Sequence, residues 1–254
     1  MKFALTALTA ALALTALPTV VHAQAAAAST SFNVGVVTDY RYRGISQSRL
    51  KPALQGGADY SSPSGLYLGT WLSTISWIKD VGTLTGTDSG STPAEWDLYG
   101  GYKGELAKGL SYDVGGLYYA YLGNKIVNAG GANANTFEVY GALTYGLFTA
   151  KYSHALTNTF GFLDSKGSGY LDLSANVDLG SGFSLTPHIG RQEIKRTSAA
   201  SYTDYSLTLG KDLGNGISLS AALLGTDADK AGYVSPQGKF LGKNALVLGA
   251  KFSF

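Results

Sequence analysis

The feature that most constrains this chain is a two-residue period held for about ten residues at a time. Between Tyr170 and Leu179, residues Leu171, Leu173, Ala175, Val177 and Leu179 fall on one side, and Tyr170, Asp172, Ser174, Asn176 and Asp178 on the other. Successive side chains of an extended backbone point to opposite faces, so such a run is a strand with one apolar and one polar face. The pattern recurs from Phe32 to Arg43, where Phe32, Val34, Val36, Thr38, Tyr40 and Tyr42 oppose Asn33, Gly35, Val37, Asp39, Arg41 and Arg43. It recurs over 94–103, 110–122, 137–145 and 243–254. Weaker runs at 52–60, 66–76, 147–154, 183–194, 202–212 and 217–227 bring the expected count to twelve.

The connections alternate as well. Ser61–Gly65, Gly104–Gly109, Gly146, Gly180–Gly182 and Leu213–Gly216 read as tight turns. Residues 77–93, 123–134, 155–167 and 228–242 are long and polar, whereas 44–51 and 196–201 are of moderate length. Tight and long connections in strict alternation, with an even strand count, are the pattern of outer-membrane barrels whose short turns face the periplasm. A soluble sandwich also alternates, but its strands cluster near about 5–6 residues, whereas membrane-crossing strands need about 9–11. The expected fold is therefore all-β, a closed antiparallel transmembrane β-barrel of about 12 strands. Tyr40, Tyr42, Tyr60, Trp96, Tyr102, Tyr112, Tyr118, Tyr145 and Phe252 are expected on the apolar face near strand ends, as an interfacial girdle.

Composition narrows the function. Lys+Arg 19 against Asp+Glu 17 leaves no strongly basic face for nucleic acid, and the absence of Cys removes thiol chemistry, disulfides and Cys-ligated metal. Met1-Lys2 precedes an apolar run that ends in Val21-His22-Ala23 before Gln24, which reads as a signal peptide over 1–23, with the barrel domain over 24–254.

The segment Thr38-Asp-Tyr-Arg-Tyr-Arg-Gly-Ile-Ser-Gln-Ser48, with Pro52–Tyr60 and Gly65–Trp71, resembles the TorF porin family. The resemblance implies a barrel in the bacterial outer membrane with a channel role, and it brings no catalytic motif. Phe254, preceded by apolar residues at alternate positions, looks like the carboxy-terminal signal read by the outer-membrane insertion machinery.

No enzyme is expected. His154 and His188, the two histidines after the signal, stand in no metal-ligand spacing, and Ser153 and His154 as strand neighbours face opposite ways. No catalytic, cofactor-binding or metal site is assigned. The residues singled out are pore-lining candidates on the polar face: Asp39, Arg41, Arg43, Asp59, Glu95, Asp97, Lys103, Asp113, Glu138 and Lys151, with Asp172, Asp178, Asp204, Lys211 and Lys251 on the same expected face. Arg41 and Arg43, two apart near the outer end of the first strand, are expected to bias the mouth modestly towards anions, screened by salt. Loop 77–93 is the expected candidate to fold inwards. The expected function is passive diffusion of small hydrophilic solutes or ions. A filled structural or adhesive barrel with working outer loops is the alternative, because twelve strands lie between filled eight-stranded barrels and open wider ones. Outer-membrane lipids, the insertion machinery and the solutes are the expected partners.

Overall fold

The computed structural model describes residues 28–254; the expected signal peptide, 1–23, lies outside the described residues. Twelve long strands alternate with turns and loops: β1 (Ser29–Val37), β2 (Ala53–Ser61), β3 (Leu66–Thr74), β4 (Ala94–Ala107), β5 (Leu110–Ala120) and β6 (Thr136–Tyr145). They continue as β7 (Phe148–Ala155), β8 (Gly169–Ala175, resuming as Val177–Gly180), β9 (Phe183–Glu193), β10 (Tyr202–Gly214), β11 (Ile217–Thr226) and β12 (Ala245–Ser253). Every neighbour pair is antiparallel, and β1 pairs with β12 as well as with β2, so the sheet closes on itself. Closure leaves no unpaired edge, the condition for strands in a bilayer. No described helix is long and apolar enough to cross a membrane.

The period-2 pattern decides the two faces. Val34, Leu68, Leu98, Val114, Leu143, Leu171, Leu207 and Leu248 are exposed outside, while their strand neighbours turn to the lumen. Tyr60, Tyr102, Tyr145, Phe148, Phe183 and Phe252 ring the outside near the tight-turn end. Two of those turns, Ser181-Gly182 and Asn215-Gly216, have positive φ at both residues, the geometry that matches hairpin twist. At the seam, Phe254 exchanges backbone hydrogen bonds with Phe32 at 2.8 and 2.9 Å, and the two rings stack at 5.9 Å.

The expected first strand, 32–43, is too long. β1 ends at Val37, and the chain then turns into a small hairpin in which Arg41 pairs with Ser46 and Tyr42 with Ile45. Arg43 and Gly44 between them have φ of 46° and 77°. A Cβ on Gly44 would stand 2.4 Å from Thr226 Cγ2 and 2.8 Å from Asp204 Cβ, so glycine is required both for the turn and for the approach to the wall. Alternation across Asp39-Tyr-Arg-Tyr-Arg43 hides the bend, because a hairpin preserves the period. Tyr40 and Tyr42 therefore leave the expected girdle and pack inside. At the other end β4 runs on to Ala107 through a bulge, past the expected start of the turn at Gly104.

Two apolar clusters lie inside, both in the half towards the long loops. One gathers Val37, Tyr40, Trp71, Ile78, Tyr119, Tyr121 and Ile126. The other gathers Ile45, Tyr202, Ala228 and Leu241. Helix α1 (Trp77–Thr85) belongs to the loop after β3; its Ile78 is fully buried and its Trp77 meets Tyr121 edge-on at 5.1 Å.

Candidate functional site

The lumen is built by register. Glu95, Asp97, Tyr99, Gly101 and Lys103 alternate along the inner face of β4, directly opposite Ser73, Trp71, Gly69 and Tyr67 of β3 for the first four, with Lys103 opposite Asp113 of β5. Asp59 on β2, Asp113 on β5, Glu138 on β6 and Lys151 on β7 join that face, as expected from the alternation. Tyrosines line it in pairs with these charges. Tyr99 donates to Asp59 at 2.5 Å, Tyr67 donates to Asp113 at 2.6 Å and touches the Tyr140 hydroxyl, and Lys151 Nζ stands 3.9 Å from the Tyr140 ring centre. These rings lie along the wall over glycines: a Cβ on Gly69 would meet the Tyr99 ring at 2.3 Å, and one on Gly115 would meet the Tyr140 hydroxyl at 2.6 Å. Glycine opposite tyrosine keeps the ring flat, and so keeps it off the barrel axis.

Asp39, Arg41 and Arg43 are not on a barrel strand. They sit in the segment 38–52, which folds into the lumen, and all three are buried. Arg41 Nε donates to Asp39 Oδ2 at 2.5 Å, and its Nη1 donates to the carbonyls of Gly44, Leu241 and Lys243 at 2.8, 2.9 and 3.2 Å. Asp39 also accepts from the Ser46 hydroxyl at 2.5 Å. Arg43 crosses to the far wall. Its Nη1 donates to Glu138 Oε1 at 3.1 Å and Gln192 Oε1 at 2.6 Å, its Nη2 donates to Glu138 Oε2 at 2.7 Å, and its guanidinium lies 4.2 Å from the Tyr170 ring centre. Two guanidinium groups so committed offer little to a passing anion, so the expected anion-attracting mouth built on one strand face is replaced by a tethered loop. Arg49 adds a bidentate pair with Asp80 of α1. The segment 38–52 enters the lumen, and 77–93 reaches inside beside it, with Ile78 in the apolar cluster around Tyr40 and Asp80 paired with Arg49, while Ser89 and Lys125 join it to the loop after β5.

The loop also brings Tyr40 to the wall, where its hydroxyl donates to Glu95 Oε1 at 2.5 Å. Burial, and after it the Glu95 carboxylate, push the Tyr40 hydroxyl well above the ordinary phenol range, so it remains a donor at any physiological pH. Tyr121 donates to Glu95 Oε2.

One cluster escaped the sequence. His188 on β9 meets Asp172 of β8 at 3.0 Å and Asp204 of β10 at 3.7 Å, with the Tyr170 hydroxyl 3.2 Å from its Nε2. Its members come from three strands, and only the register, which pairs His188 with Ser174 and Ser206, sets them one pleat apart. Lys211 leaves the expected inner set: it pairs with outward Phe183, lies 4.1 Å over that ring and donates to the Ser181 carbonyl at 2.6 Å. Ser153 is buried in the lumen wall, and His154 beside it turns outward against Tyr152. Among the described residues no three His, Asp or Glu side chains converge as metal ligands.

The whole of this geometry falls within one family. Residues 22–254 match the model of a bacterial protein family of unknown function, Gcw_chp. The chain belongs to that family. No curated protein matches it in sequence. Among solved structures it is similar to the KdgM porin, with a TM-score of 0.56 at 6% identity over 88% of this chain and 99% of that one. A structure of KdgM in complex with disordered oligogalacturonate matches equally. The NanC porin matches with a TM-score of 0.53 at 11% identity over the same shares. At such identities the likeness is one of fold: a closed twelve-strand antiparallel barrel.

Proposed function

We propose that this family member is a porin-like channel of the bacterial outer membrane, passing small hydrophilic solutes or ions by passive diffusion. In this reading loop 38–52 is its constriction, and the family is the one known as TorF. The observation that carries the proposal is the position of the apolar clusters. Both lie in the half of the lumen towards the long loops, while Asp113, Lys151, Asp172 and Lys251 line the other half with partly exposed charge. A lumen plugged along its whole length would leave no such half lined by partly exposed charge. The outer face, apolar and ringed by aromatics, fits outer-membrane lipid. Phe254, exposed at 66% just after the closing strand, supports its reading as the signal for the insertion machinery. Passage of this kind uses no cofactor and no catalytic group, and the signal peptide 1–23 is the export route the channel needs.

The buried Arg41 and Arg43 network favours a second reading, a barrel plugged by 38–52 whose outer loops do the work. Planar-bilayer recording of the purified protein separates the two. The channel gives discrete conductance steps. Stable insertion without steps, with folding checked by heat-dependent gel mobility, assigns the plugged barrel.

A further inference from the structure

Arg191 breaks the apolar pattern of the outer wall. The outward set of β9 reads Phe183, Leu185, Pro187, Ile189, Arg191 and Glu193, and among the described strand residues Arg191 is the one cation turned to lipid above the aromatic ring. It lies eight residues up the strand from Phe183 of that ring, about 26 Å at about 3.3 Å per residue, or roughly 20 Å in height at a tilt of about 40°. The apolar band of such barrels is about 25 Å tall, so the guanidinium reaches the headgroups at the long-loop end, a depth where a charge on the lipid face costs little. The wall leaves its charge free. Leu171 of β8 and Thr203 of β10 stand directly opposite, its Nη1 donates to the Thr203 hydroxyl at 3.3 Å, and among the described residues it enters no ion pair.

The rim above adds more positive charge. The backbone N–H of Lys195 donates to the Ser168 hydroxyl at 3.0 Å, which ties the loop after β9 to the loop after β7 and brings exposed Lys166, Lys195 and Arg196 together. A Cβ on Gly167 would stand 3.3 Å from Lys195 Nζ and 3.8 Å from His154 Cε1, so the ammonium hangs over outward-facing His154. The acids of this rim are Glu193 and Asp164, both exposed, and the four cations outnumber them.

Beside Arg191 the outer face is hollow. A groove of about 570 Å³ is lined by Tyr205, Leu207, Leu223, Asn244 and Leu246, and Tyr205 stands directly opposite Ile189, Arg191's neighbour on the same face. Its two ends differ. Towards the long loops the Tyr205 hydroxyl donates to Asn244 Oδ1 at 2.9 Å across Gly225, where a Cβ would stand 1.9 Å from that oxygen. One row lower, Leu207, Leu223 and Leu246 are paired in register and expose only hydrocarbon.

We infer that the outer face of β9–β12 binds a phosphorylated glycolipid of the outer leaflet, with an acyl chain in the groove and a phosphate on Arg191 and Lys195. An acyl chain alone needs no guanidinium, and a soluble phosphate needs no leucine groove. Cations above, a polar bridge at the headgroup level and hydrocarbon below are the order of groups in such a lipid. The inference rests on the long loops facing outward, and not on the channel reading.

The test is native mass spectrometry of the folded barrel in detergent, equilibrated with hexa-acylated diphosphoryl lipid A, with the same lipid stripped of its phosphates, or with dioleoyl phosphatidylglycerol. EDTA removes divalent ions that would bridge phosphate to Glu193 or Asp164. Diphosphoryl lipid A should be retained roughly tenfold better than either alternative, the worth of one charge-assisted contact. Arg191→Gln should remove most of that preference, Leu223→Trp, which fills the groove, should weaken retention, and Lys108→Gln, an exposed cation at a tight turn, should leave it unchanged. Equal retention of the three lipids, or none of lipid A, overturns the site, and this comparison needs no variant to fold. Undiminished preference in an Arg191→Gln barrel of parental heat-dependent gel mobility also overturns it. So does a dimer that this substitution dissolves, since the face would then belong to a second copy. Missing conductance steps leave the site standing, whereas cysteine labelling that puts the tight turns outside moves the face to the inner leaflet and overturns the glycolipid.

Discussion

Arg43→Ala should free loop 38–52 from the wall and leave the barrel standing. The side chain gives three hydrogen bonds to Glu138 and Gln192, and it is the only loop cation that reaches Glu138. Removing one partner of a buried ion pair leaves the other charged and unpaired, at a cost of about 3–5 kcal/mol. None of that energy resides in the strand ladder, since β6 and β9 keep their own antiparallel partners. The loss therefore falls on the closed position of the loop. At about 1.4 kcal/mol per tenfold, the displaced population should rise by roughly two to three and a half decades. Single-channel recording should show larger or longer open steps in the variant, with heat-dependent gel mobility as in the parent. Adding Glu138→Gln should recover part of the closed behaviour, because an amide tolerates the loss of the guanidinium better than a carboxylate does. A variant with parental conductance and dwell times would refute the tether. So would one that no longer folds, since the energy would then belong to the barrel.

Three further outcomes follow from the same geometry. Deleting Phe254 removes both backbone bonds to Phe32 and one stacked ring at the β1–β12 seam, and should lower the yield of heat-modifiable barrel in the membrane fraction. Single cysteines at Lys239, on the long-loop side, and at Ser181, in a tight turn, should differ in intact cells, the first labelled by an impermeant maleimide and the second protected; equal labelling refutes the orientation. Gly44→Ala should loosen the loop as Arg43→Ala does, since its methyl group would strike Thr226 and Asp204 at a positive φ; trypsin cleavage after Arg41 or Arg49 in the folded barrel reads this directly.

The wall was legible because its rule is local. From Tyr170 to Leu179 and from Leu246 to Phe254 each residue's face follows from its neighbours alone, and the register only confirms it. What escaped is non-local. Arg43 reads as one more lumen residue of an alternating strand until the turn at Arg43-Gly44 is recognised, and the glycine after Arg43 was the one available signal. His188 is surrounded by Asp172, Asp204 and Tyr170 only through the offsets of three strands. Asp97 looks the same in sequence as Asp113, yet the Asp113 carboxylate accepts from Tyr67 and Asp97 Oδ1 has no hydrogen-bond partner. Period 2 assigns a face; it does not assign a partner across it.

Strained backbone and buried charge meet in the segment 38–52, and that says what the segment is for. Arg43, Arg49 and Leu50 all take positive φ, a conformation that disfavours side chains, and the same segment buries Asp39, Arg41 and Arg43. A loop needed only to join β1 to β2 would avoid such costs by lying in solvent as a polar turn. Here each cost is offset by a contact with a different element: Arg41 with the carbonyls of Leu241 and Lys243 in the loop before β12, Arg43 with Glu138 and Gln192 on the wall, Arg49 with Asp80 of α1. Contacts of this kind are strong when complete and costly when half-made, because a charge stripped of one partner cannot reach water inside the lumen. Partial withdrawal is then worse than either full seating or full release. In the channel reading that is the energetic form of a gate, placed between the long loops and the charged half of the lumen.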